Sequence, residues 1–512
     1  MRHQRGDSRE EVERPLELSA EHAQVRPAFA IIDIGSNSVR MVVYDGIARA
    51  PLPRFNEKSF CRLAEGLDET GLLSAEGIAR TLRAVRRFKA IADAMRVARV
   101  DVLATEATRR ATNGADLVAA IARETGFQTR ILTGQEEANF AALGVISGFF
   151  RPIGLVGDMG GGSLEIAEAL DDRVGDPRSS LPLGALPVST ILQKHGRAAK
   201  VEIDRILTAG LPKGLTRPSF YPVGGGWRAL AKVYMAQIAA PLRVVHGFEV
   251  EAGALRAFAA KLWKTPATEL ASLPGLPSRR AETLACSALV MDRVIKHLAP
   301  QRVVFSALGV REGWLYAQLP TAEQYLDPLI EAAQSWGRPL ARVPGFAHAL
   351  ARWTDPLFPD ESLAETRLRV AACAISDIAW RDQDELRAVE SFRRVSQFPF
   401  IGLDHAERVW LAAVIHARYA GRPNDPVLLT SGLDPGALRR ARIIGLAFLV
   451  AYRFSGSVPE ILTTSRLVLG PGKVTLQVDA AARAPDSEAL MSRLRLLAKA
   501  VGVAEVAIEE GG

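Results

Sequence analysis

Phe29-Ala30-Ile31-Ile32-Asp33-Ile34-Gly35-Ser36-Asn37-Ser38 opens the patterned part of the chain, and Ile153-Gly154-Leu155-Val156-Gly157-Asp158-Met159-Gly160-Gly161-Gly162-Ser163 repeats its logic. Each is an apolar run that reaches an aspartate and breaks at a turn rich in Gly and Ser. A second strand-like run follows each turn, at 39–44 and at 164–167. Strand, tight polar turn and strand predict a β-hairpin. Its recurrence predicts two related α/β lobes that face each other.

Around the hairpins the pattern alternates. Residues 74–97 carry Ile78, Leu82, Val85, Phe88 and Ile91 at helical spacing, with Ser74 as the N-cap. Strands are predicted at 99–104 and 130–132, and helices at 116–125 and 137–147. The second half-pattern runs through the loop Val223-Gly224-Gly225-Gly226-Trp227-Arg228, a helix over 281–298, a strand over 302–306 and the turn Ala307-Leu308-Gly309. From about 319 to 421 the chain reads as helical. Asn424-Asp425-Pro426 signals a linker, followed by a helix over 436–454, a hairpin around Gly470-Pro471-Gly472-Lys473 and a last helix over 486–500.

Composition bounds the answer. The 512 residues exceed one ordinary core and predict several domains. Lys plus Arg number 64 against 57 Asp plus Glu, a net charge of +7, which is a mild field on a chain this long. It fits an anionic partner without naming one. Three separated cysteines, Cys61, Cys286 and Cys373, argue against a disulfide framework and a structural zinc site. A reducing compartment, the cytoplasm, is expected. The charged N-terminal residues lack the apolar stretch of a signal peptide, and the apolar run 443–452 is too short to span a bilayer. No membrane and no DNA partner is expected.

The chemistry sits in the turns. Gly35 with Ser36, Asn37 and Ser38 makes a cluster of short donors that suits phosphate. Arg40 follows as a cation for a second phosphate, and Asp33 ends the strand where it could serve a metal. The same hexapeptide also fits a plain Asx-type turn with nothing bound. At the second turn, Gly160, Gly161, Gly162 and Ser163 expose backbone N–H groups. Asp158 and Glu165 can then face one site, as Mg2+ binding and water positioning require. Thr133-Gly134-Gln135-Glu136-Glu137-Ala138 closes a strand and starts a helix. One glutamate there could act as a base for water, or both could cap the helix.

The series Asp33-x-Gly-Ser-Asn-Ser-x-Arg40, Thr105-Glu-Ala-Thr-Arg109-Arg110-Ala, Gly134-x-Glu-Glu-Ala138 and Asp158-x-Gly-Gly-Gly-Ser-x-Glu165 resembles the exopolyphosphatase and guanosine pentaphosphate phosphatase family. Ser180-Leu-Pro-Leu-Gly184, Arg280 and Leu308-Gly-Val-Arg311-Glu-Gly313-Trp-Leu-Tyr316 extend the resemblance over most of residues 28–318. It implies an α/β fold of two duplicated ribonuclease-H-like, actin-like lobes, then a mostly helical HD-like domain and a small α+β C-terminal domain. The implied boundaries are a disordered tail at 1–26, lobe I at 27–137, lobe II at 138–319, the helical domain at 320–425 and the last domain at 426–512.

The resemblance also implies roles. Glu137 is the catalytic base. Asp158 and Glu165 serve catalysis, and with Asp33 they hold Mg2+; K+ is a second candidate cation. Asn37, Ser38, Arg40, Arg109 and Arg280 contact phosphates, although Arg109 and Arg280 alone would read as solvated helix residues. Gly226 stands where a threonine is usual, and Leu164 replaces another. The HD pair reads Ser376-Asp377, so the helical domain is expected to have lost its own chemistry and to support a homodimer or a longer basic channel. The implied activity is Mg2+-dependent release of terminal orthophosphate from inorganic polyphosphate. Rivals are a guanosine pentaphosphate phosphohydrolase, an actin-like kinase or ATPase, and a non-catalytic sensor of polyphosphate or the guanosine tetra- and pentaphosphates.

Overall fold

The computed structural model of the chain describes residue 18 and residues 26–274, 281–421, 426–479 and 487–511. Arg280, nearly all of the predicted tail and Asn424-Asp425 of the predicted linker lie outside the described residues. Residues 23–320 with 396–409 form one compact unit, and residues 321–395 with 410–512 belong to another.

The first unit is built on two sheets. In the first, β1 (Phe29–Ile34) and β2 (Ser38–Tyr44) form the predicted hairpin, with Asp33 opposite Arg40. β3 (Pro53–Phe60) adds to the β2 edge, while β4 (Arg99–Ala104) and β5 (Thr129–Ile131) extend the other side in parallel. The order is β3-β2-β1-β4-β5. β1 is covered on both faces, which is why it reads as a nearly continuous apolar run. Ala30, Ile32 and Ile34 pack with Val85 and Phe88 of the helix Ala75–Ala94, whose N-cap Ser74 accepts from the Gly77 amide. Phe29 and Ile31 face Trp314 and Leu315 on the opposite side.

The second sheet has the order β10-β11-β9-β6-β7-β8. β6 (Ile153–Met159) and β7 (Leu164–Leu170) are its hairpin, with Asp158 opposite Glu165. β8 (Arg173–Leu181) continues antiparallel beyond β7. β9 (Ser219–Val223) runs parallel to β6 and β11 (Arg302–Phe305) parallel to β9. β10 (Phe248–Glu251) closes the edge.

Two helices carry site residues and lock together. The helix Gly134–Gly148 sets Ala138, Ala141 and Val145 against Val156, Ala167 and Ala169 of the second sheet. The helix Val310–Tyr316 returns to the first sheet through Trp314 and Leu315. Where they cross, a Cβ on Gly313 would stand 1.8 Å from the Phe140 carbonyl oxygen, and one on Gly144 2.2 Å from that of Gly309. The backbones touch, so these positions admit only glycine. The expected boundary between residues 137 and 138 therefore falls inside one continuous helix. The helix begins at the Thr133 cap and cannot be divided there.

In the other unit, short helices enclose a buried ion pair. The fully buried Arg367 guanidinium holds Asp327, which also caps the helix Pro328–Gly337. The helix Pro435–Ser455 leads to β12 (Ser465–Gly470) and β13 (Lys473–Asp479), the predicted hairpin, and β14 (Glu505–Gly511) joins β13 in parallel. Among the described residues, no helix is long and apolar enough to cross a membrane. All three cysteines are buried free thiols.

Candidate active site

Both hairpin turns close in the same way. The Gly35 amide donates to the Ser38 carbonyl at 3.0 Å, and the Gly160 amide to the Ser163 carbonyl at 3.0 Å. The turn carbonyls are engaged by other backbone amides. Ser36 and Asn37 accept from Ala64, Cys61 and Arg62, while Gly160, Gly161 and Gly162 accept from Ala185, Leu186 and Gly184. Among the described residues, no backbone acceptor meets the amides of Ser36, Asn37, Gly161 and Gly162. A peptide whose carbonyl is held on one side presents its N–H to the other, and successive N–H groups of this kind bind anions. The turns also oppose each other closely. A Cβ on Gly161 would lie 3.0 Å from Ser36 Cβ, and one on Gly162 would lie 2.0 Å from Glu106 Oε2. Glycine is needed here for close approach.

Between the turns lies a cavity of about 260 Å³. Asp33, Gly35, Ser36, Asn37, Ser38 and Arg40 line one side of it. Asp158, Gly160, Gly161, Gly162, Ser163 and Glu165 line the other, and Glu137 enters from the helix Gly134–Gly148. The hairpin register explains the gathering. Asp33 pairs with Arg40 and Asp158 with Glu165, so each turn sends its pair toward the same opening.

The structure separates the two glutamates that the sequence left equivalent. Glu136 is the capping residue: its carboxylate accepts from the Thr133 amide at 2.8 Å, pairs with Arg130, and is held below the usual range by those bonds. Glu137 is buried instead. Burial pushes its carboxyl up to about 7, opposed by the Arg109 guanidinium at 2.5 Å and reinforced by Asp158 and Asp33. Burial likewise raises Asp158 to about 6, and Glu165 rises well above its ordinary value through burial and the neighbouring Glu137. Ser180 donates to Glu165 at 2.9 Å. A proton acceptor poised near neutrality beside anion-binding turns is the arrangement that water activation requires.

Arg109 does not line the cavity. It is committed to Glu137 and the Leu132 carbonyl, so its visible work is to tune the glutamate. Arg280 lies outside the described residues. Among the residues given no role from the sequence, the charged side chains Lys58, Glu106, Arg228 and Arg311 line the cavity. Glu106 accepts from Ser36 at 3.2 Å and from Arg110 at 2.6 Å, bracing the first turn. Arg311 pairs with Asp33 at 3.2 Å. Burial works against its charge, but Glu312 and Asp33 outweigh burial and raise its pKa. Burial and Arg311 bring Arg228 down to about 10. Both arginines sit in the first turn of a helix that starts directly after a glycine loop, a signal present in the sequence. At Gly226, a Cβ would stand 2.1 Å from Ser287 Oγ, and the hydroxyl-bearing Ser287 and Thr283 form that part of the wall.

Among the described residues, no three His, Cys, Asp or Glu side chains converge as a ready metal cage. Mg2+ does not need one. It binds through one or two carboxylates and completes its shell with water and phosphate oxygens. The donor chemistry fits, because Asp33, Asp158, Glu137 and Glu165 repel one another across the cavity, a strain that a divalent cation relieves.

Comparison with known proteins agrees with this geometry. The Ppx/GppA phosphatase family model matches residues 42–322, and the model for the C-terminal part of exopolyphosphatase matches residues 329–507. Exopolyphosphatase 1 of Mycobacterium tuberculosis is 27% identical over 302 residues, covering 56% of this chain and 87% of that protein. Retrograde regulation protein 2 of Saccharomyces cerevisiae is 26% identical over 448 residues, covering 80% of this chain and 76% of that protein. The crystal structure of an exopolyphosphatase-like protein superposes with a TM-score of 0.50 at 21% identity, covering 56% of this chain and 96% of that one. It supports the fold alone.

Proposed function

This chain belongs to the Ppx/GppA phosphatase family and is a phosphoanhydride hydrolase, and from that premise we propose that it acts as an exopolyphosphatase, releasing terminal orthophosphate from inorganic polyphosphate. The observation that carries the reading is Glu137, a buried carboxylate poised near neutrality at the mouth of two opposed anion-binding turns.

The terminal phosphoryl group rests on the unengaged amides of Ser36, Asn37, Gly161 and Gly162. Arg228 and Arg311 face the charge that builds on its oxygens and on the leaving phosphate. Arg40, on β2 at the cavity rim, meets the next phosphate of the chain. Glu137 takes a proton from a water in line with the anhydride bond. Glu165, fixed by Ser180, lies beside Glu137, which with burial keeps the Glu165 carboxyl well above its ordinary value. Asp158 and Asp33 are the residues that would hold Mg2+, which supplies charge neutralisation at the phosphoryl oxygens when bound.

We read the two sheets as duplicated ribonuclease-H-like lobes. The shared run β3-β2-β1-β4-β5 and β8-β7-β6-β9-β11, with matching turn bonds, supports this. We read the helical unit as a degenerate HD-like domain. There Asp377 is held by Arg342 at 2.8 Å and Arg418 at 3.3 Å, and Ser376 by Tyr452, so the remnant pair is already spoken for.

The test is orthophosphate release from long-chain polyphosphate and from guanosine pentaphosphate, measured with one preparation in Mg2+. A higher kcat/KM on polyphosphate is expected. A higher value on the nucleotide would transfer the role to the rival phosphohydrolase, and phosphate transfer from ATP to an alcohol would overturn hydrolysis altogether.

A further inference from the structure

The edge strand β3 has two faces with different surroundings. Phe55 packs against the core that includes Val85 and Phe88 of the helix Ala75–Ala94, and Glu57 on the same face holds Arg87 of that helix at 2.7 Å. Period-two alternation sends Asn56, Lys58 and Phe60 to the other face. Lys58 and Phe60 line the catalytic cavity, and the catalytic steps leave both without a part. The register then sets three charges in one row. Asp33 on β1 lies opposite Arg40 on β2, and Arg40 lies opposite Lys58 on β3. Residues paired across neighbouring strands share a face, so the row crosses the sheet from Asp33 to its outer edge, two strand spacings or about 10 Å.

Like charges set directly opposite each other destabilise a sheet. Arg40 and Lys58 are such a pair, and Arg40 has little relief. Its Nε donates to the neutral Asn56 at 2.8 Å, the nearby Asp33 is held by Arg311, and burial together with Arg311 presses the Arg40 pKa down. An anion lying across the row offsets the repulsion. Lys58 is also aimed. Its Nζ stands over the Phe60 ring, 4.9 Å from the centroid, and that ring is 42% exposed at the rim of a cavity built for anions. An apolar ring offers an anion nothing, but its face attracts and restrains an ammonium. The restraint spares part of the entropy that a free lysine loses on binding.

We propose that Lys58 is a substrate-binding residue, the contact for the third phosphate counted from the one released, and that Phe60 positions it. The terminal phosphoryl group sits on the turns, Arg40 takes the second phosphate and Lys58 the third, so the bound chain runs outward across β2 and β3. The assignment rests on the twin turns as the seat of the terminal group, and it holds for any substrate that presents a linear triphosphate.

The experiment is competitive inhibition of the full chain by two non-hydrolysable probes, methylenediphosphonate with two phosphorus centres and bis(methylene)triphosphonate with three. Initial-rate orthophosphate release is followed at fixed Mg2+ on polyphosphate or guanosine pentaphosphate, whichever the native chain turns over. That choice tests the substrate reading by itself, and the inhibition constants test Lys58. Lys58→Gln should raise the inhibition constant of the three-phosphorus probe about three- to tenfold and leave that of the two-phosphorus probe unchanged, with the substrate KM rising in step. Lys58→Arg should keep both constants near native. Phe60→Leu should weaken the three-phosphorus probe alone and cost nothing further in the Lys58→Gln background, a coupling that a merely structural ring would not show. Equal loss of both probes, or loss of neither, would overturn the proposal for Lys58. A Phe60→Leu effect that persists undiminished without Lys58 would overturn it for Phe60.

Discussion

Replacing Arg109 by glutamine should move the acid limb of the pH–rate profile upward. Glu137 must be ionised to accept a proton. Burial pushes its carboxyl up to about 7, and the Arg109 guanidinium at 2.5 Å is the strongest influence pulling it down. In the native chain, kcat/KM should therefore fall about tenfold between pH 8 and pH 6, as the ionised fraction drops from about nine tenths to one tenth. A cation in contact with a carboxylate typically lowers its pKa by about 1–3. Without that cation the limb should sit about one pH unit higher or more. At pH 7 the ionised fraction then falls from about one half to about one tenth, a loss of about fivefold that is recovered at pH 9. The assay is initial-rate orthophosphate release from polyphosphate at fixed saturating Mg2+, from pH 5.5 to 9.5. A limb that stays in place, with activity lowered equally at every pH, would refute the reasoning and return Arg109 to a phosphate-binding role.

Three further outcomes follow from the geometry. Glu165 carries a raised pKa, so the folded chain is penalised as pH climbs from the ordinary carboxyl range through the folded value; Glu165→Gln should raise Tm near pH 8 and leave it unchanged near pH 4, read by metal-free thermal melts. Gly313→Ala forces a Cβ to within 1.8 Å of the Phe140 oxygen and should cost about 1–3 kcal/mol in denaturant unfolding, with activity falling as the helix bearing Glu137 is displaced. Asp327→Ala removes the carboxylate paired with the buried Arg367 guanidinium together with a helix cap, which should cost about 3–5 kcal/mol in unfolding of the helical unit and leave the Glu137 acid limb in place.

Much of the site was legible because turns write themselves into sequence. Asp33 to Ser38 and Asp158 to Ser163 needed no structure to be read as twin tight turns, and each lies where the hairpin register requires. The spacing Thr133-Gly-Gln-Glu136 even contained the answer to the glutamate question. A capping box consumes its fourth residue, which is Glu136, and releases Glu137. Edge strands were harder. β3 has no buried residue, and β8 carries Pro177 among polar neighbours, so neither shows the apolar run that reveals β1 or β6. Glu106, Arg228 and Arg311 belong to the site through tertiary approach alone. Glu106 reaches Ser36 from another strand's end, and Arg311 meets Asp33 only because the helix Val310–Tyr316 returns to the first sheet. The helix Gly134–Gly148 also runs through the lobe boundary that the family resemblance implied, because its start is set by the Thr133 cap.

The most direct measurement is single-turnover hydrolysis of polyphosphate by Glu137→Gln in saturating Mg2+, alongside equilibrium binding of the same polymer. The account predicts a fall in rate of about 10²–10⁴-fold with binding largely retained. Turnover close to that of the native chain would contradict it, because the buried, poised carboxylate would then have no part in activating water.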